Sequence, residues 1–185
     1  MKKVRNKRGF TLMETMAAIL VMVLLVVGIG TGMDTGLRVY REVTFETDSA
    51  ALAGMIDTAL SDMLRHAENI DPSPDALDPN NQPVCAVFTN VDQGLKDAYI
   101  YIEGSGTSSG MLKIRSIHNN LQPVELVNAG AYPDLQIERF NLNYVEPGEE
   151  GKRGGYFEVK YTIASSLDST RTREMETVVR PLNGG

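Results

Sequence analysis

The sequence contains no tryptophan, and aromatic residues make up only 6% of its 185 positions. Aromatic side chains contribute the largest buried apolar areas in protein cores. Their scarcity predicts a small core built mainly from aliphatic residues. The length corresponds to one domain, or to a small domain with an extension.

Cysteine and histidine are almost as scarce. Cys85 is the only cysteine, which excludes an intramolecular disulfide. We expect a buried, inert thiol, because free cysteine usually packs as a small hydrophobe. His66 and His118 have no metal-ligand spacing, and no Ser-His-Asp, His-Glu-x-x-His or Cys-x-x-Cys arrangement is present. The sequence therefore predicts neither an enzyme nor a cofactor.

Positive charge is missing from most of the chain. The formal net charge is −6, but five of the 18 basic residues precede Gly9, which leaves 13 basic against 24 acidic residues, or −11. Nucleic-acid binding requires clustered Lys and Arg, so nucleic acid is not expected as the principal partner. If DNA is bound, Lys152 and Arg153 are the candidate residues.

Two local patterns suggest a ligand only weakly. Asp71, Asp75 and Asp78, with Asn80, could approach a calcium ion, which prefers several oxygen ligands. Their spacing does not match an EF-hand, and the same residue types favour turns. The glycine-rich stretch 104–110 lacks the Gly-Lys-Ser/Thr ending of a phosphate-binding loop, so we expect a hairpin connection there.

What the sequence does contain is a basic leader followed by a long uncharged stretch. Residues 15–33 carry no charge, close to the roughly 20 residues that a membrane helix requires. Basic flanks stay in the cytoplasm, so the rest of the chain should lie outside. The small residues 28–32 leave cleavage by ordinary signal peptidase open as an alternative, which would give a membrane-anchored or secreted binding domain.

The segment "KRGFTLMETMAAILVMVLLVV" resembles the amino-terminal region of type IV prepilins and of the pseudopilins of type II secretion and DNA-uptake systems. The matching features are a basic leader ending in Gly9, the residues Phe10 to Leu12, then Glu14 and an apolar helix. The resemblance implies cleavage by a prepilin peptidase between Gly9 and Phe10, and N-methylation of Phe10. Glu14 then becomes the fifth residue of the mature chain.

Physical reasoning gives Glu14 a role in assembly. A carboxylate inside an apolar filament core is unfavourable unless it is paired. Pairing with the Phe10 amine of a neighbouring subunit requires a particular axial stagger, so the charge would set the register of the filament.

The remainder of the sequence predicts an α+β protein. Residues 34–70 lack proline and show helical periodicity, with the apolar residues Leu52, Ile56, Ala59, Leu60, Met63 and Ala67 on one face. The pair Asp71-Pro72 should end this helix. Six stretches are typical of β-strands and predict one antiparallel sheet: 84–91, 97–104, 110–119, 135–146, 155–164 and 173–182.

These predictions divide the chain into five parts: leader 1–9, membrane half of the helix 10–33, amphipathic half 34–70, linker 71–83 and β-rich head 84–185. This is the architecture of the type IV pilin fold that the resemblance implies. The tail "REMETVVRPLN" is similar to the closing strand of minor pilins and pseudopilins. The expected partners are the prepilin peptidase, other pilin subunits, and the cytoplasmic membrane with its assembly platform.

Overall fold

The computed structural model describes residues 11–72, 74–75, 77–78, 82–103, 110–117, 122–127, 131–147 and 154–182. Gly9, Phe10, Asn80, His118, Lys152 and Arg153 lie outside the described residues. The chain divides into two compact units, one ending at Thr44 and the other beginning at Phe45.

A single helix, α1, runs over Leu12–Arg65. Thr11 caps its start, because its hydroxyl accepts the backbone N–H of Glu14 at 3.3 Å. Thr11 and Glu14 stand in the Thr-x-x-Glu spacing of a capping box. The helix continues through the three glycines of residues 28–32, where the hydroxyl of Thr31 donates to the helix carbonyls of Val27 and Gly28 at 3.1 Å each.

The predicted end of the helix near residue 70 is wrong. α1 stops at Arg65, and Ala67–Asp71 forms the first strand instead. The last carbonyls of the helix are bonded from elsewhere in the chain: Asn90 donates its side-chain amide to the Met63 carbonyl at 2.9 Å, and the Leu182 N–H donates to the Arg65 carbonyl at 2.7 Å. These two bonds satisfy groups that a helix end leaves unpaired, and they stop the helix before Asp71-Pro72 can do so.

The described residues after the helix form eight strands, not six, and these strands make two antiparallel sheets rather than one. The five-stranded sheet has the order β1-β2-β3-β4-β5 and the three-stranded sheet the order β6-β7-β8. Their bounds are β1 Ala67–Asp71, β2 Val87–Asn90, β3 Leu95–Glu103, β4 Met111–Ser116, β5 Val124–Glu125, β6 Leu135–Val145, β7 Tyr156–Ser165 and β8 Thr172–Val179.

All six predicted strands are confirmed, and β1 and β5 are the two that sequence patterning misses. β1 reads as a continuation of the helix, and β5 is only two exposed residues long. The strands on either side of the predicted hairpin connection, β3 and β4, pair in antiparallel register as a hairpin requires, and residues 104–109 of the connection lie outside the described residues.

The main core lies between the carboxyl-terminal part of α1 and both sheets. Leu52, Ile56, Leu60 and Met63 are buried as the helical periodicity predicts, whereas Ala59 is only partly covered. Complete burial of an aliphatic side chain contributes roughly 1.5–3 kcal/mol. This apolar face therefore accounts for much of the attachment of the helix to the sheets.

A second, smaller core lies on the other face of the five-stranded sheet. It contains Val84, Val87, Tyr99 and Tyr101, with the two tyrosine rings 5.7 Å apart. The described residues of 72–86, here named the covering segment, contribute Val84 to this core and contain a β-bridge between residues 77 and 83.

The prediction of a buried Cys85 is wrong, because the thiol is exposed. The flanking residues Val84 and Ala86 are buried. The chain bends at Cys85. Val84 packs into the second core and Ala86 into the main core, whereas the thiol between them remains exposed.

Candidate assembly site

The described part of the first unit is an exposed, largely apolar helix. All its described residues up to Val43 are exposed, and the most exposed apolar side chains, Leu12 and Met13, show 79% and 80% of their surface. Among the described residues, α1 is the one helix that is long and apolar enough to span a membrane. Such a surface requires lipid or other helices around it.

The polar side chains in this segment are bonded to the helix itself. Thr15 donates its hydroxyl to the Leu12 carbonyl at 2.8 Å, and Thr35 donates to the Thr31 carbonyl at 2.9 Å. Hydroxyl groups satisfied in this way are compatible with an apolar environment, where unpaired polar groups cost several kcal/mol.

Glu14 is the exception. It is the only charged residue between Thr11 and Met33, it lies in the first turn of α1, and its side chain is exposed. An acidic residue in the first turn is favoured by the helix dipole. The Thr11 cap and this dipole explain why a glutamate is tolerated here, but neither requires a charge that is otherwise absent between Thr11 and Met33.

The glycines leave one face of the helix open. Gly28, Gly32 and Gly36 follow one another at intervals of four residues, so they lie on the same face. A Cβ atom added at any of them would meet no other heavy atom within 4 Å. Small residues at this spacing allow another helix to approach closely in a membrane.

The described calcium candidates, Asp71, Asp75 and Asp78, are not brought together as a metal site. Among the described residues, no three His, Cys, Asp or Glu side chains come close enough together to hold a metal ion. Asp71 lies in β1, and Asp78 accepts the backbone N–H of Gln82 at 2.8 Å. Asp78 therefore contributes to a turn of the covering segment, which is the alternative that its residue type allows.

The head contains a hydrogen-bonded carboxylate that sequence reasoning missed. One oxygen of Asp57, on α1, accepts the hydroxyls of Tyr161 on β7 and Thr177 on β8, both at 2.9 Å. Tyr161 is 2% exposed, and burial, with Asp57 beside it, raises the pKa of its hydroxyl. Asp57 is not among the residues of the predicted apolar helix face. The available signal was that Tyr161 and Thr177 occupy inward positions of their strands.

A comparison with protein families finds one match, to the prokaryotic N-terminal methylation motif, over residues 4–30. The matched residues include Gly9, Phe10 and Glu14. Neither the curated proteins nor the solved structures contain a match to the chain. The match supports the predicted type IV pilin-like signal peptide and a precursor of the pilin or pseudopilin type. Its α+β arrangement of one long helix packed on antiparallel strands is consistent with the pilin fold.

Proposed function

We propose that the protein is a structural subunit of a type IV pilus or of a type II secretion-like filament, and a minor pilin or pseudopilin rather than the main subunit. The main support for this proposal is that the methylation motif and the exposed apolar helix occupy the same part of the chain. The methylation motif, residues 4–30, covers the same part of the chain as the exposed apolar helix that bears Glu14 in its first turn.

Maturation begins with a prepilin peptidase that cleaves between Gly9 and Phe10 and methylates the new amino group. Gly9 lets the protease approach the backbone closely, since it has no side chain. The basic leader stays in the cytoplasm, and the second unit, from Phe45 onward, crosses to the other side of the membrane. The mature subunit remains in the cytoplasmic membrane as a single-pass protein until the assembly platform adds it to the filament.

Assembly then pairs Glu14 with the Phe10 amine of a neighbouring subunit. In a single subunit Glu14 lies one turn inside the helix start, close enough to the membrane surface to reach water. Among packed helices that water is lost, and an unpaired carboxylate becomes strongly unfavourable. Only the stagger that brings Phe10 of one chain to Glu14 of the next relieves this cost.

The glycines between residues 28 and 36 serve the packing of helices. Each costs about 1 kcal/mol of helix stability relative to alanine, so the segment is also the easiest part of α1 to unwind. We propose that it packs closely against neighbouring helices and extends locally in the filament, the role that a proline in mid-helix has in many prepilins.

Assignment to a minor subunit is supported by the closing strand. β8 ends at Val179 and is followed by Arg180, as in the valine-rich tails of minor pilins and pseudopilins. The protein has no active site of its own in this proposal. Its work is insertion, processing and helix-to-helix polymerisation in a filament for secretion, adhesion, motility or DNA uptake.

Two substitutions at Glu14 test the assembly role. Glu14→Ala removes both the charge and the capping-box side chain, whereas Glu14→Gln removes the charge but keeps a side chain that caps helices equally well. We expect both variants to be processed and inserted, and both to drop at least tenfold in sheared filaments. Immunoblots of the membrane and sheared fractions measure this. Normal incorporation of Glu14→Gln would contradict the pairing role and leave only a capping role.

A further inference from the structure

The head contains a cleft of about 830 Å³ beside the covering segment. This volume lies within the range of protein pockets that bind small ligands or single side chains. The cleft is lined by apolar residues of β3 and β6 and by a few polar side chains: Asp78, Gln82, Cys85, Tyr101, Glu138 and Arg139.

The cleft follows the edge of strand β6. Five consecutive residues of this strand, 136–140, line it. Since neighbouring side chains of a strand point to opposite faces, a run of five can line one cleft only along the strand's edge. β6 is an edge strand of its sheet. The N–H of Ile137 donates to the Gly110 carbonyl at 3.3 Å, and beyond it residues 139–145 make no backbone hydrogen bond to a described strand other than β7.

A β-bulge lies at the same point. The register of β6 against β7 shifts between Ile137 and Arg139, which inserts Glu138 as an extra residue. Bulges redirect side chains, and Glu138 and Arg139 both line the cleft although they are adjacent in the sequence. Both are exposed, and neither makes an ion pair within the described part of the chain.

Tyr101 also lines the cleft, and its side chain is 4% exposed. A tyrosine hydroxyl can both donate and accept a hydrogen bond. It is therefore a candidate contact for a polar atom of a ligand in the cleft.

We infer that the cleft binds an extended segment of a partner protein, which adds to the edge of β6 as a further strand and inserts a lysine or arginine side chain. Strand addition provides main-chain hydrogen bonds for affinity, and a pocket beside the strand provides specificity. The cleft holds the acids Asp78 and Glu138 against one cation, Arg139, and the chain beyond Arg8 has a net charge of −11 (13 basic minus 24 acidic residues). The excess of acids lining the cleft and the negative net charge of the chain both favour a basic partner segment over an acidic one.

The apolar stem of such a side chain would lie along Ile102 and Phe140, and its ammonium or guanidinium group would donate to Glu138 and to the Tyr101 hydroxyl. The site lies in the head and uses no residue of the amino-terminal helix, so it operates whether or not the chain assembles through Glu14.

A pair of labelled peptides tests the charge preference on the full chain in detergent micelles. Each alternates threonine and valine around a central residue, which is lysine in one peptide and glutamate in the other, and fluorescence anisotropy reports binding. We expect the lysine peptide to bind about tenfold more tightly. Glu138→Lys should reverse this preference, and Tyr101→Phe should weaken the lysine peptide about fivefold, the effect of one hydrogen bond.

The outcomes that overturn the proposal are equally specific. No saturable binding up to about 1 mM, the weak end of protein affinities, would overturn it. A lysine preference that Glu138→Lys leaves unchanged would overturn the location, and a Tyr101→Phe variant that binds as well as the original would overturn the role of the hydroxyl.

Two further measurements test the geometry. Methylating alternate amide nitrogens of the lysine peptide should abolish binding in one of the two alternations only, because an added strand uses every second N–H. Cys85 lines the cleft and is the only cysteine, so its alkylation by iodoacetamide reports occupancy. We expect the lysine peptide to slow alkylation, and binding that leaves the rate unchanged would place the peptide elsewhere.

Discussion

Removing the hydroxyl of Tyr161 should loosen the attachment of α1 to the three-stranded sheet. The hydroxyl lies 2.9 Å from Asp57 and 3.2 Å from the Ala53 carbonyl, and Tyr161 is 2% exposed. Tyr161→Phe keeps the ring and its packing, and it deletes only the donor. Asp57 then keeps Thr177 as its one described donor.

We expect Tyr161→Phe to lower the free energy of unfolding by about 2 kcal/mol, because hydrogen bonds to charged groups contribute roughly 1.5–3 kcal/mol. For a chain of 150–250 residues, 1 kcal/mol corresponds to a shift of about 2–4 °C in Tm. We therefore expect Tyr161→Phe to lower the Tm of the head by roughly 4–8 °C. Thr177→Val removes the second donor to Asp57. The double variant should lose more stability than the two single variants together, since Asp57 is then left without either hydroxyl.

Thermal unfolding of the full chain in detergent, followed by near-ultraviolet circular dichroism, measures the effect. Tyr156→Phe is the matched control, because this half-buried tyrosine lies on the same strand and its hydroxyl has no partner among the described residues. The control should stay within about 0.5 kcal/mol of the original chain. Equal shifts in Tyr161→Phe and Tyr156→Phe would refute the importance of the Asp57 contact.

Three further predictions concern the head. Burial raises the pKa of Tyr161, so the folded state keeps this proton above the ordinary tyrosine pKa of about 10. The free energy of unfolding should therefore fall as pH rises above about 10, and it should fall less steeply in Tyr161→Phe. Unfolding measured over a range of alkaline pH values checks this. Gly110→Ala should lower the free energy of unfolding by more than about 1 kcal/mol, because the added Cβ would overlap the Ile137 carbonyl. Gly54 lies in α1 with no atom near its missing Cβ, so Gly54→Ala should raise the free energy of unfolding by about 0.5–1 kcal/mol. Urea unfolding measures both changes. The hydroxyl and the backbone amide of Thr170 donate to Asp168 and lower the pKa of its carboxyl group. The stability that this carboxylate contributes should be present above about pH 4 and lost as pH falls below it. Asp168→Asn should therefore make the free energy of unfolding less dependent on pH in the acid range.

The long helix and six of the eight described strands were predictable because their side chains repeat with a clear period. Leu52, Ile56 and Leu60 recur at helical spacing, and their burial follows from it. The helix end was not predictable in this way. Residues 66–70 are compatible with a helix locally, and the contacts from Asn90 and Leu182 that end α1 come from distant parts of the chain.

The division into two sheets was unpredictable for a related reason. Alternation shows which residues form strands, but it does not show which strands become neighbours. The same limit applies to the cleft beside β6, where Tyr101, Glu138 and the covering segment meet only through the tertiary fold. The assembly segment is different, because Gly9, Phe10 and Glu14 lie within six consecutive positions and carry their signal in the sequence alone.

The mass of the amino-terminal peptide of the mature protein tests the central claim most directly. The protein is purified from its native membrane, digested, and analysed by mass spectrometry. We predict that the chain begins at Phe10 with one additional methyl group on its amino nitrogen. A chain that begins at Met1 or near Thr31 would contradict the proposal, because Glu14 would then have no Phe10 amine to pair with.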